Sequence, residues 1–227
     1  MDSLRSTTFT KHARNITVAA RQGGGDPAYN AALKLAIDKA KADNMPNDNI
    51  NRAIKKGIGA TDGEKYEHIT YEGNGPGGVA LIIECLTDNK NRTAGDLRHY
   101  FDKCGGNLGQ TGCVSFLFND KGVIVIDNED EELDEDDVMM EVLDAGADDF
   151  EPDGETFVVY TAPDDVSPVA EKISAAGYKL LSAQVEMLPQ NGYIKLTNED
   201  DIKNMQKMLD MFEDNDDVQN VWHNWEE

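Results

Sequence analysis

The chain has 227 residues, of which 44 are Asp or Glu and 21 are Lys or Arg, so its formal net charge is −23 at pH 7. This length allows one to three small domains, and the negative charge argues against a protein that binds nucleic acid with its whole surface. The charge is unevenly distributed. Residues 1–57 contain ten Lys or Arg and five Asp or Glu, a balance of +5, which leaves −28 for the remainder. A phosphate-binding surface is therefore expected in the first quarter of the chain.

Several classes of protein are disfavoured by the sequence. No stretch approaches the roughly 20 apolar residues of a membrane span, and the N-terminus has no apolar signal-peptide core. The three cysteines lack metal-ligand spacing, and Cys85 and Cys113 lie in apolar runs that suit reduced core thiols. The four histidines are far apart and adjoin no obvious nucleophile. The sequence predicts a cytoplasmic protein that is not an enzyme, with no cofactor, metal site or small-molecule substrate.

The first quarter contains three runs in which apolar residues recur at helical spacing: 9–22, 27–44 and 47–56. Gly23-Gly24-Gly25 separates the first two runs and permits a bend, while Asp26 and Pro27 suit the start of a helix. A basic three-helix domain over residues 1–62 is therefore predicted. Most of its cations fall outside the apolar faces, where they would be merely solvated or would contact phosphates. The candidate nucleic-acid-binding residues are Lys11, Arg14, Arg21, Arg52, Lys55 and Lys56.

Strand and helix patterns alternate in the acidic remainder of the chain. The first group has a strand at 79–86, a helix at 91–103, and strands at 114–118 and 123–126 joined by a turn at 119–122. The second group is a helix at 200–213 followed by a strand at 218–222. Together they have the strand–helix–strand–strand–helix–strand order of a ferredoxin-like plait. Residues 66–127 and 193–227 are therefore predicted to form one α/β domain.

The residues between these groups have a similar pattern. A helix at 135–145, a hairpin at 148–161, a helix at 163–176 and a strand at 179–188 indicate a second plait whose first strand is missing or borrowed. Residues 128–192 are therefore predicted to be an inserted acidic α/β domain. The predicted fold class is α+β multidomain, with an N-terminal three-helix domain and two ferredoxin-like α/β domains, one inserted in the other.

The segment TDNKNRT, residues 87–93, leads into the helix predicted at 91–103. Its Asn and Thr side chains can cap the free N–H groups at the start of a helix. The same segment could instead form a contact surface for a partner protein or RNA. The residues that would make such a contact are Asn89, Asn91, Arg92 and Arg98.

Four segments closely resemble the YebC/PmpR family: ITVAARQGGGDP, LAIDKAKADNMPNDNINRAIKKG, YEGNGPGGVALIIECLTDNKNRT and GGNLGQTGCVSFLF. The resemblance extends over nearly the whole chain from about Phe9 onward, including DNDDVQNVWHN near the C-terminus. It implies a helical N-terminal domain and two α/β domains. Members of this family are described as transcriptional regulators that bind DNA. Others, including the mitochondrial relative that activates translation of a cytochrome oxidase subunit, act on translation and associate with the ribosome.

One difference from the family affects what the resemblance implies. Family members usually begin with a basic segment similar to AGHSKWANIKHRK, whereas this sequence has MDSLRSTT, in which Arg5 is the only cation. Either the chain is a divergent member or it lacks that basic leader. The resemblance alone therefore does not imply that this chain binds nucleic acid with the affinity of the family.

Three functions follow as hypotheses. The first is a transcriptional regulator that binds DNA through its basic N-terminal helices. The second is a ribosome-associated translation factor in which the basic domain contacts RNA and the acidic domains lie near basic ribosomal proteins. The third, a remote alternative, is a metal-dependent hydrolase with a carboxylate-bound metal ion.

Overall fold

The computed structural model describes residues 2–59, 65–129 and 133–226, with side chains from residue 6 onward. In this part of the chain the helices are α1 (Asp2–Gly23), α2 (Ala31–Ala42), α3 (Asn47–Gly59), α4 (Lys90–Lys103), α5 (Glu135–Ala145), α6 (Val166–Ala175) and α7 (Glu199–Glu213). The strands are β1 (Glu67–Asn74), β2 (Ala80–Thr87), β3 (Asn107–Leu108), β4 (Phe118–Asp127), β5 (Asp149–Asp153), β6 (Thr156–Thr161), β7 (Leu180–Pro189) and β8 (Val218–His223). None of these helices is long and apolar enough to cross a membrane.

The chain forms two compact units, one of which is inserted in the other. The first unit is Met1–Ser115 with Tyr193–Glu227, and the second is Phe116–Gly192. The first contains α1 to α3 and a four-stranded sheet, and the second contains another four-stranded sheet. The predicted α+β fold class is therefore confirmed. The predicted end of the helical domain, residue 62, lies outside the described residues.

The three N-terminal helices pack around their own apolar core, in which Ile16, Leu33 and Ile50 are at most 3% exposed. Helices α1 and α3 approach each other closely at Gly57. A Cβ at this position would lie 2.6 Å from the carbonyl oxygen of Thr17 and 2.8 Å from the Cβ of Ala20. A glycine is therefore required where the two helices meet.

Helix α2 begins at Ala31, four residues later than the sequence pattern predicts, because its N-cap is Asn30 and not Asp26. The Oδ1 of Asn30 accepts a hydrogen bond from Leu33 N at 3.1 Å. Its Nδ2 donates to Ala19 O and to Gly24 O, both at 2.8 Å. The buried Asn30 side chain thus caps α2 and fixes the preceding loop to α1.

The first sheet has the strand order β3-β1-β2-β8, with antiparallel neighbours throughout. The connection from β2 through α4 to β3 leaves a gap that β1 fills. This is the order of a ferredoxin-like plait in which β1, a strand that the sequence pattern does not predict, replaces the strand expected at 123–126. Beneath it, Leu97, Phe101 and Phe212 of α4 and α7 are fully buried.

The strands predicted at 114–118 and 123–126 are not two strands of the first sheet. Strand β4 runs without a turn from Phe118 to Asp127 and pairs with β6 and β7. The motif Asn-Asp-Lys-Gly suggests a turn, but Gly122 has a different function. A Cβ at Gly122 would overlap the Oγ1 of Thr161 and lie 2.9 Å from the Cβ of Val166. Glycine here permits close packing within a continuous strand.

The second sheet has the order β5-β6-β4-β7, again with antiparallel neighbours. Its chain order, β4-α5-β5-β6-α6-β7, is that of a complete ferredoxin-like plait. The inserted unit therefore supplies its own first strand, and none is missing or borrowed. The domain boundary predicted between residues 127 and 128 moves to between residues 115 and 116.

The carboxylate of Asp217, which is 3% exposed, lies between α7 and β8 and connects several elements of the first unit. Arg14 of α1 donates from Nη1 to its Oδ1. Arg92 of α4 donates from Nη2 to both oxygens, at 3.0 and 2.8 Å. The hydroxyls of Thr93 and Thr87 donate to Oδ2 at 2.8 and 3.2 Å. One buried carboxylate thus joins the helical domain, α4 and the end of β2.

Two opposing effects act on the ionisation of Asp217. Burial on its own raises the pKa of this carboxyl group, and the hydrogen bonds from Arg92, Arg14 and Thr93 lower it. The net effect is a pKa below the ordinary value. The folded protein therefore stabilises the charged form, and Asp217 contributes to stability as a carboxylate.

A second buried carboxylate, Glu72 of β1, holds the segment that follows β3. Its side chain, 3% exposed, accepts hydrogen bonds from the backbone N–H groups of Gly112, Val114 and Ser115 at 2.7 to 2.9 Å. Burial raises its pKa, but these hydrogen bonds outweigh that effect and lower it. The Glu72 carboxylate therefore fixes this loop to β1, as the Asp217 carboxylate fixes the helical domain to α4.

We predict that Asp217→Asn lowers the free energy of unfolding by about 3 kcal/mol, because it leaves two guanidinium groups facing a neutral amide. In the wild type, this contribution is present above the unfolded pKa of about 3.9 and is lost as the pH falls through the lower folded value. The difference between the two proteins should therefore shrink below about pH 4. Urea unfolding from pH 3 to pH 7 measures it.

The matched control is Asp88→Asn, which removes a partly exposed carboxylate that also accepts from Arg92, at 2.8 Å. An ion pair of this kind contributes less than about 1 kcal/mol. An equal loss in both variants, or a loss for Asp217→Asn that does not change with pH, would contradict the role of Asp217.

We also predict that Gly57→Ala destabilises the protein by about 1–3 kcal/mol, because the added methyl group forces α1 and α3 apart. A Cβ added at Gly59, in the same helix, would have no atom within 4 Å. Gly59→Ala should therefore be neutral or stabilise by up to about 1 kcal/mol. Thermal unfolding of both variants tests this contact, and equal melting temperatures would refute it.

Candidate nucleic-acid interface

Three of the six predicted phosphate-binding residues lie exposed on one helix, α3. This helix buries Ile50, Ala53 and Gly57 against α1 and α2, so the opposite side faces solvent. Arg52, Lys55 and Lys56 occupy that side at positions i, i+3 and i+4. Such spacing makes them neighbours on the helix surface.

The guanidinium group of Arg52 is held against its own helix. Its Nε donates to the carbonyl oxygen of Asp48 at 3.3 Å, and its Nη2 contacts the Oδ1 of Asn49. The remaining N–H groups of an arginine fork are suited to oxygen acceptors such as phosphates. The exposed side of α3 can therefore present a short row of fixed positive charge.

Lys11 and Arg14 are instead directed towards the acidic C-terminal part of the first unit. The Nζ of Lys11 donates to the carbonyl oxygen of Glu213 at 2.8 Å. Burial lowers the pKa of Lys11 by more than the neighbouring carboxylates, Glu213 first among them, raise it. Arg14 donates to the carbonyl oxygens of Leu86 and Asp216 in addition to Asp217, and its guanidinium carbon lies 5.4 Å from the ring centroid of Tyr66.

Arg21, the sixth predicted residue, lies partly buried in the last turn of α1. The structure thus separates the six residues into three groups. Arg52, Lys55 and Lys56 share an exposed helix side, Lys11 and Arg14 make contacts within the first unit, and Arg21 lies at the end of α1. Sequence position alone did not distinguish these environments.

The residues of the TDNKNRT segment are divided in a similar way. Asn89 is the N-cap of α4, and its Oδ1 accepts from Arg92 N at 3.1 Å. The Arg92 side chain contacts Asp88 and Asp217. Asn91 and Arg98 are exposed and seven residues apart, which puts them on the same side of α4. Capping and internal ion pairing therefore account for two of the four candidates.

Three large exposed apolar side chains lie in the helical domain, among its side chains from residue 6 onward, and were not predicted from the sequence. They are Tyr29, 90% exposed, Ile58, 59% exposed, and Leu35, 53% exposed. The sequence pattern places Tyr29 in the helix predicted from residue 27, whereas the structure has it in the loop between α1 and α2, because α2 begins at Ala31. An aromatic residue between Pro27 and the N-cap Asn30 was the signal available.

The chemistry of the remaining side chains can be stated for the described residues. Within this part of the chain, no group of three or more His, Cys, Asp or Glu is arranged to hold a metal ion. Burial raises the pKa of the Cys85 thiol to about 12, so this thiol is protonated at neutral pH. The described residues therefore contain no cluster of this kind for the metal ion of the hydrolase hypothesis.

Comparison with known proteins identifies the relatives of this chain. A probable transcriptional regulatory protein from Clostridioides difficile is 57% identical over 99% of this chain and 93% of its own length. Another, from Finegoldia magna, is 55% identical over 99% and 92%. The crystal structure of a conserved hypothetical protein from Aquifex aeolicus has 41% identity and a TM-score of 0.87, and covers 99% of this chain and 91% of the other.

Two family descriptions match the chain and divide it between the three N-terminal helices and the two sheets. Residues 1–60 match the TACO1/YebC protein N-terminal domain, which corresponds to α1 to α3. Residues 66–225 match the TACO1/YebC second and third domain, which contain the two sheets. The chain belongs to the TACO1/YebC family.

Proposed function

We propose that this protein regulates gene expression by binding the phosphate backbone of nucleic acid through the exposed side of α3. The observation that carries the proposal is the row formed by Arg52, Lys55 and Lys56 on a helix whose other side is buried. The names of its relatives, which are probable transcriptional regulatory proteins, support a regulatory role. DNA is the first target to test.

The contacts of Lys11 and Arg14 narrow the proposed surface. Arg14 compensates the buried charge of Asp217, and Lys11 donates to the end of α7. Releasing Arg14 to a phosphate would leave the buried carboxylate of Asp217 without one of its donors, which costs more than a surface contact returns. We therefore assign Arg14 to the stability of the first unit, leave Lys11 out of the surface because it already donates to Glu213 O, and assign the α3 side chains to binding.

The acidity of the rest of the chain is compatible with this proposal. A net charge of −23 repels a polyanion from most of the surface, so approach is favoured only where the cations are concentrated. Such an arrangement limits non-specific adhesion and orients the protein on its target. Binding should weaken steeply with salt, because each phosphate contact releases counterions.

A second candidate function, association with the ribosome, is favoured by a feature of the inserted unit. Helix α5 carries Met140, 56% exposed, and Leu143, 44% exposed, and begins with Glu135, Asp136 and Asp137. An apolar strip beside carboxylates suits a basic partner protein. In this alternative α3 contacts RNA and α5 contacts a basic protein. Co-sedimentation with ribosomes, compared with a gel shift on DNA at about 0.15 M salt, separates the two candidates.

We predict that the triple variant Arg52→Glu, Lys55→Glu, Lys56→Glu loses at least about tenfold in affinity for nucleic acid at physiological salt. The slope of log affinity against log salt should become shallower by about 2 to 3, as expected when three phosphate contacts are removed. Fluorescence anisotropy with labelled oligonucleotides over a salt series measures both quantities.

A control of equal charge change is available in the first unit. Lys103, Lys203 and Lys207 are exposed on α4 and α7, and their replacement by Glu alters the net charge by the same amount. If both triple variants lose affinity equally, the effect is one of overall charge, and the proposed α3 surface is wrong. A wild-type protein that binds neither DNA nor RNA in these assays would refute the proposed function itself.

A further inference from the structure

Tyr29 is the most exposed large apolar side chain among the described residues, at 90%. A tyrosine ring this exposed offers a large apolar face for contact with a ligand, and its hydroxyl provides a polar end. It lies in the domain that carries the basic side of α3. The loop that holds it, residues 24–30, is short and connects α1 to α2.

This loop is fixed in one conformation by its own hydrogen bonds. Gly24 has φ of 89°, which few residues other than glycine adopt, and its N–H donates to Ala20 O at 2.9 Å. The Asp26 carboxylate accepts from Ala28 N at 2.9 Å, and Tyr29 N donates to Asp26 O at 3.1 Å. Together with the buried Asn30, these bonds hold the Tyr29 backbone before any ligand arrives.

The loop also lies against the C-terminal part of α3. A Cβ at Gly25 would be 3.0 Å from the Cγ2 of Ile58 and 3.2 Å from that of Ile54. Ile58 is three residues beyond Lys55 and therefore adjoins it on the helix surface. The turn at 26–29 keeps the Cα of Tyr29 within about 11 Å of Gly25. The loop that carries Tyr29 therefore meets α3 next to Lys55, one member of the positive row.

Resting on the proposed function, we infer that Tyr29 is a stacking platform for an unpaired base whose backbone lies along Arg52, Lys55 and Lys56. The ligand class is a single-stranded or looped-out segment of nucleic acid. A base inside a continuous duplex has both faces covered by its neighbours, whereas an unpaired base has a free face for an aromatic ring. The positive charge on the adjoining helix α3 makes a phosphate backbone the partner of matching chemistry.

The rigidity of the loop supports this assignment over a solvated side chain. Holding the backbone of Tyr29 in place beforehand reduces the conformational entropy lost on binding. The side chain of Tyr29 has only two torsions to fix, and its hydroxyl can stay in water while the ring stacks. The Asp26 carboxylate is the one negative group of the turn, and its hydrogen bond to Ala28 N keeps it engaged within the loop.

The test compares the full-length wild type with Tyr29→Ala and Tyr29→Phe. The probes are a labelled 12-nucleotide strand, as RNA and as DNA, its duplex with the complement, and the same strand with abasic sites. Tyr29→Ala should weaken binding of either single strand about tenfold, the effect of losing one stacked base, and should leave duplex binding unchanged. Tyr29→Phe should retain the wild-type affinity, because it keeps the ring.

Abasic strands provide the cross-check. They should bind the wild type and Tyr29→Ala equally, because no base is left to stack. The control variant Tyr193→Ala removes a tyrosine that is 55% exposed elsewhere in the first unit, and it should have no effect. The ratio of RNA affinity to DNA affinity should be the same for the wild type and Tyr29→Ala. An RNA–DNA difference then comes from the sugar, and the loss on Tyr29→Ala comes from the base.

The inference is overturned if Tyr29→Ala binds the single strand like the wild type, or weakens single-strand and duplex binding equally. If the α3 triple variant still loses affinity in that case, the proposed function stands and only the stacking role fails. If the wild type binds none of the probes, both fail together. Circular dichroism melts of Tyr29→Ala should match the wild type, since the side chain is almost fully solvated.

Discussion

A buried carboxylate needs positively charged partners, and the first unit depends on this constraint. Asp217 is almost completely removed from solvent, and its charge would be prohibitive without compensation. It obtains that compensation from Arg14 of α1 and Arg92 of α4, which are 78 residues apart in the sequence. The attachment of the helical domain to the first sheet is therefore a direct consequence of this pairing. Because the buried carboxylate would be uncompensated without these arginines, the pairing also specifies how α1 and α4 meet at Asp217.

This constraint changes how the basic first quarter is interpreted. The charge balance of residues 1–57 suggests a surface, but it counts cations that neutralise the protein's own acidic segments. Lys11 donates to the end of α7, and Arg14 contacts Asp217. The proposed surface on α3 is smaller and better defined than the charge count implies. A net charge is a property of a segment, whereas binding needs cations that are exposed together on one surface.

Elements with a local sequence pattern were predicted correctly. Elements that depend on contacts with residues far away in the sequence were missed. Helix α5 was predicted at its observed bounds, because its apolar spacing and acidic first turn are both local. Strand β1 was missed, because it buries a charged residue, Glu72. The backbone N–H groups that donate to the Glu72 carboxylate lie 40 to 43 residues away in the sequence. The motif around Gly122 suggested a turn, since sequence alone does not show that Thr161 lies against it. Among the candidate site residues, the environment of Arg14 was equally hidden, because its partner lies near the opposite end of the chain.

The proposed α3 surface is small, which limits the affinity that its phosphate contacts can provide. A protein that makes about 6 to 10 phosphate contacts loses several orders of magnitude in affinity as salt rises from about 50 to 200 mM. Three cations on an acidic protein provide much less attraction. A contact that depends little on salt would add to this attraction, and the inferred stacking of a base on Tyr29 has that property. An acidic protein with few cations and one exposed aromatic ring on a fixed loop would thus suit an unpaired segment better than an uninterrupted duplex.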